Sequence, residues 1–87
     1  LDKFLLEESF KSLVEKYAEL LVGDCSAEMV EQIQMWALYQ HISKSMPPLT
    51  KHWGEAHPEA RVAMRELFEQ VKAMNEQLKG KNTHGPH

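Results

Sequence analysis

His52, Glu55 and His57 supply two imidazoles and a carboxylate within six residues, which is the chemistry of a zinc or nickel site. Such a site needs three or four ligands converging at about 2 Å. Helices that bind metal place their histidines three or four residues apart, on one face. His52 and His57 are five apart, with Gly54 between them and Pro58 following. That spacing favours a solvated turn and a helix start over a metal centre, so no metal and no cofactor is expected, with His52, Glu55 and His57 as the only candidate ligands. His41 and Cys25 join them only if tertiary contact brings them in, and His84 and His87 lie in the tail.

Cys25 stands at the start of a helical segment, where the helix dipole lowers a thiol pKa and makes the sulfur more nucleophilic. Asp24 and Glu28 beside it push the other way, and no histidine close in sequence offers a base. The carboxylates Glu7, Glu8, Glu15, Glu19, Glu66, Glu69 and Glu76 fall on polar helix faces. A catalytic pair needs environments that push two pKa values apart, and a solvated face does not provide them. No glycine-rich phosphate loop, nucleophile elbow or HExxH pattern occurs. The sequence is therefore read as non-enzymatic. Arg61, Arg65, Lys72 and Lys79 are interleaved with Glu66, Glu69 and Glu76, whereas phosphate binding needs clustered positive charge, so no nucleic-acid partner is expected.

The elements that carry these residues follow from period and punctuation. Leu6, Phe10, Leu13, Tyr17 and Leu20 recur at four, three, four and three residues, widened by Val14 and Leu21. This pattern predicts a helix near 2–22 with one buried face, closed by Gly23 in the left-handed conformation. A second helix near 27–46 starts after a cap at Asp24 or Ser26 and stops at Pro47-Pro48. A third, near 58–79, opens on Pro58. It carries Ala60, Met64, Leu67, Val71, Met74 and Leu78 at helical spacing and closes at Gly80. Residues 47–57 read as a long connection in which Thr50 caps a single turn and Leu49 and Trp53 fold onto the bundle. Residues 81–87 read as a disordered tail. The expected fold is all-α: one domain over residues 1–80, a small antiparallel three-helix bundle whose first two helices form a hairpin across a four-residue turn.

The second helix carries more apolar surface than one buried face needs. Met29, Val30, Ile33, Trp36 and Ala37 share one arc, and Met35, Leu38, Tyr39, Ile42 and Met46 another. Either this is a central helix covered on both sides, or one stripe is left for another chain. The second option predicts a homodimer, or docking of another helical protein, through Met35, Leu38, Tyr39, Ile42 and Met46, because monomers seldom expose such a ridge. The function expected is a helical interaction or self-association module. The alternative is an effector or sensor domain binding a small molecule, haem or metal in a cavity lined by methionine and aromatic residues.

Bulk properties agree with a single small domain. The chain has 87 residues, 43% hydrophobic and 26% charged, with a net charge of −3. That is globular composition with no strong field. One cysteine rules out an intramolecular disulfide and points to a reducing compartment, here the cytoplasm. The longest apolar run, Met35 to Tyr39, is far short of a membrane span. No basic region followed by an apolar stretch marks a signal peptide. The chain begins at Leu1 with the helical pattern running by Phe4, which fits a piece of a longer protein or a chain lacking its first residues.

Overall fold

The computed structural model describes residues 2–83, with side chains for residues 2–80. The described residues form four helices and no strand: α1 (Lys3–Val22), α2 (Ala27–Ser45), α3 (Pro47–Ala56) and α4 (Pro58–Thr83). The fold class is all-α as expected, but the count of three is corrected to four. The segment read as a connection is itself a helix. Prolines stop α2, yet Pro47 and Pro48 occupy the first positions of α3, where a missing amide costs no hydrogen bond. Thr50 does not cap it; its hydroxyl donates back to the Pro47 carbonyl at 3.2 Å.

Single residues join α2 to α3 and α3 to α4. Met46 has φ −141° and ψ 69°, and His57 has φ −131° and ψ 70°. Both precede a proline, whose ring excludes the helical conformation from the residue before it. The same local rule thus turns the chain twice within eleven residues.

The other ends follow the expected capping chemistry. The Asp2 carboxylate accepts from the Leu5 amide at 3.0 Å, and the Ser26 hydroxyl accepts from the Met29 amide at 3.3 Å. Gly23 has φ 78°, and its amide donates to the Glu19 carbonyl, as a left-handed helix end requires. The end expected at Gly80 is not there: α4 passes through Gly80 to Thr83. One glycine lowers helix propensity by roughly 1 kcal/mol, too little to stop a helix already propagated over six turns. Residues 81–83, assigned to the tail, are therefore helical, and 84–87 lie outside the described residues.

The core is small. Val14, Ala18 and Val22 of α1, Met29, Val30 and Ile33 of α2, and Val71 of α4 are buried, with Leu21, Trp36, Leu67 and Met74 packed around them. The helix α2 is central and touches the other three. Its first stripe meets α1. On its second, Tyr39 lies in an aromatic cluster, its ring 5.7 Å from Trp53 of α3 and 5.9 Å from Phe68 of α4. Trp36 lies 6.2 Å from the same Phe68. A hydrogen bond from Asn75 Nδ2 to the Leu21 carbonyl, 2.8 Å, ties α4 to the last turn of α1.

The expected stripe of α4 is confirmed, since Ala60, Met64, Leu67, Val71, Met74 and Leu78 are all buried or half-buried. The expected stripe of α1 is corrected. Leu6, Phe10, Leu13, Tyr17 and Leu20 are all exposed, and the buried face is Val14, Ala18 and Val22. At 100° per residue the two faces lie roughly 120° apart around the helix. Small side chains on the inner face let α1 approach α2 and α4 closely, and the larger ones are left outside.

Candidate interaction surface

The exposed stripe of α1 is the main apolar feature of the surface. Leu13 and Leu20 keep 62% and 66% of their surface in water, and Phe10 52%. Every residue from 2 to 13 is exposed, so the first half of α1 buries no side chain in the core, although Glu7, Phe10, Lys11 and Leu13 face α2 across open clefts. Below it, Phe10, Leu13, Val14 and Tyr17 form one wall of a groove whose other wall is Ile33, Gln34, Ala37 and Leu38 of α2. The groove has a volume of about 560 Å³, and of its lining residues only Tyr17 and Gln34 have polar side-chain atoms. Monomers rarely expose contiguous apolar surface on this scale without a use for it.

Charged residues border the stripe. Glu7, Lys11 and Glu15 line an adjacent cleft with Ala27, Val30 and Glu31. Lys16 pairs with Glu19 at 3.1 Å, an exposed bridge of the kind that adds little stability. Both signs alternate along α1, so the face has no strong field of either sign.

The residues singled out as an interface separate in space. Met35, Leu38 and Met46 are exposed, and Tyr39 and Ile42 are half-buried. Leu38 lines the groove with α1, while Met35, its neighbour one turn away on α2, lines a separate cleft with Leu67 of α4. Sequence reasoning assigned the α1 stripe to the chain's own core. The repeat itself does not separate the two cases, since α4 carries the same alternation of three and four on a face that is buried.

The candidate metal ligands are not brought together. His52, Glu55 and His57 are all exposed, and the His57 ring lies 5.8 Å from that of Trp53. Among the described residues no three His, Cys, Asp or Glu side chains converge on a common point. Cys25 is exposed beside Asp24, whose carboxylate accepts from the Ser26 amide at 2.9 Å. His41 stands apart from it, with Ser45 Oγ 3.4 Å from its Nε2. Among the described residues no helix is long and apolar enough to cross a membrane.

Fold and surface together define a small all-α protein with an apolar helix face that the described residues do not cover. The chain belongs to the family described as "Protein of unknown function (DUF2573)", which it matches over residues 4–81. It is 43% identical over 76 residues to "Uncharacterized protein YusU" of Bacillus subtilis (strain 168), an overlap of 87% of this chain and 80% of that protein. No solved structure matches it.

Proposed function

We propose that this protein is a helical interaction module, without catalytic activity of its own, that docks a helix against the face formed by α1 and α2. One observation carries the reading: the stripe Leu6, Phe10, Leu13, Tyr17 and Leu20 is exposed along α1 and continuous with an apolar groove. Amphipathic helices are recognised in grooves of this kind, by side chains spaced at three and four residues. Leu38 contributes from the ridge of α2 identified in the sequence. A reducing, cytoplasmic setting fits the exposed lone Cys25.

The groove's volume favours a second reading, a domain that encloses an apolar small molecule. Small-molecule sites combine apolar walls with a few convergent polar groups that fix orientation. Here Gln34 and Tyr17 are the only candidates, which favours a helix over a ligand. Native mass spectrometry of the purified protein separates the two. The interaction reading expects the bare protein mass, alone or in multiples. A monomer carrying a small molecule in stoichiometric amount overturns it in favour of the ligand reading.

A further inference from the structure

We infer that the occupant of this face is α1 of a second copy, paired antiparallel about a twofold axis that passes between Phe10 and Leu13. The inference rests on the interaction reading above and names its partner.

Lys3, Leu6, Phe10, Leu13, Tyr17 and Leu20 recur at three, four, three, four and three residues, alternating the two core positions of a heptad. Two copies run antiparallel bring the two kinds of core position opposite one another in every layer. Phe10 then meets the partner copy's Leu13, Leu6 its Tyr17, and Lys3 its Leu20. The whole length of α1 is used, and the twofold closes the assembly because the same patch meets itself.

A parallel pair sets Lys3 against Lys3 of the other copy and places Asp2 beside its Glu7. Like charges in such positions are destabilising, whereas the antiparallel register has no like-charge pair across the seam. Opposed helix dipoles favour the same orientation.

The chain exposes 6932 Å², against about 5,300 Å² for a compact monomer of this mass. The surplus is about 1,600 Å², and a standard interface takes about 800 Å² from each partner. The surplus over the whole surface is thus large enough to include one standard interface, and the α1 stripe is its main apolar part. Seated over the groove, the second α1 covers the exposed residues from 2 to 13, and Leu38 closes its far side.

The test uses the full chain in a Cys25→Ser background. Ser9 and Lys16 flank the seam on the same side and are both exposed, so S9C and K16C are introduced in separate samples. The samples are mixed and linked with a short bismaleimide. The antiparallel register expects the S9C–K16C product to dominate over both like-with-like products. Sedimentation across a concentration series accompanies it, with L13E expected to raise the dimer dissociation constant by roughly a hundredfold or more. A dimer giving mainly S9C–S9C and K16C–K16C links overturns the antiparallel pairing. A wild type that stays monomeric and bare at high concentration overturns the second copy while leaving the face for another helical protein. A monomer with stoichiometric cargo overturns the interaction reading as well.

Discussion

Individual side chains in this small core do unequal amounts of work, and three of them make the inequality measurable. Ala18 is fully buried where α1 meets its neighbours, so added methylenes have nowhere to go. Ala18→Leu is expected to destabilise by about 1–3 kcal/mol in urea unfolding, the usual cost of overpacking. An unchanged midpoint would show that the inner face is not the packed one. Asn75 satisfies the Leu21 carbonyl, one of the acceptors left open at a helix C-terminus. Asn75→Ala is expected to lose about 1 kcal/mol in the same measurement, since a part-buried acceptor is left bare. Gln32 presents the opposite case. Its Oε1 is buried without a hydrogen-bond partner, beside Met35, Ala63 and Leu67 in the cleft between α2 and α4. Gln32→Met conserves volume and removes the unsatisfied atom, and is expected to raise the melting temperature, with a gain of about 1 kcal/mol. A loss would mean the amide makes a contact that holds α4.

At the scale of elements, α1 divides into two halves with different support. Residues 14–22 carry the buried face, and residues 2–13 carry none. Isolated helical segments shorter than about 12–15 residues are marginal in water. The first half of α1 therefore depends on whatever covers it. Amide hydrogen exchange is expected to show residues 6–13 gaining protection as protein concentration rises, while amides of α2 near Ile33 stay protected throughout. Concentration-independent protection over 6–13 would count against an intermolecular partner for that half. The elements α3 and α4 are of a different kind, since their starts are set by prolines and by the conformations of Met46 and His57, whatever lies around them.

At the scale of the whole molecule, the chain is too open for its length. Its radius of gyration is 15.5 Å, against about 12 Å for a compact domain of 87 residues. The small core and the large exposed area describe the same condition. Small-angle scattering of L13E is expected to report an elongated monomer, and of wild type at high concentration a particle of twice the mass. A wild-type monomer with a radius of gyration near 12 Å would mean that the outer stripe of α1 folds inward in solution.

What the sequence determined by itself is local. Gly23, Ser26, Pro47 and Pro58 place helix ends because backbone conformation and unpaired amides are properties of a few adjacent residues. The buried face of α4 was legible because its 3-and-4 repeat is its one apolar face. Residues 47–57 were misread for a local reason too, as proline stops one helix and starts the next with equal ease. Tertiary structure alone decided which face of α1 is inside. Val14, Ala18 and Val22 are fewer and smaller than Leu6, Phe10, Leu13, Tyr17 and Leu20, so periodicity selects the larger set. Close approach of three helices selects the smaller one, because bulky side chains hold backbones apart. That choice is a property of the contact between helices, and no window along one helix contains it.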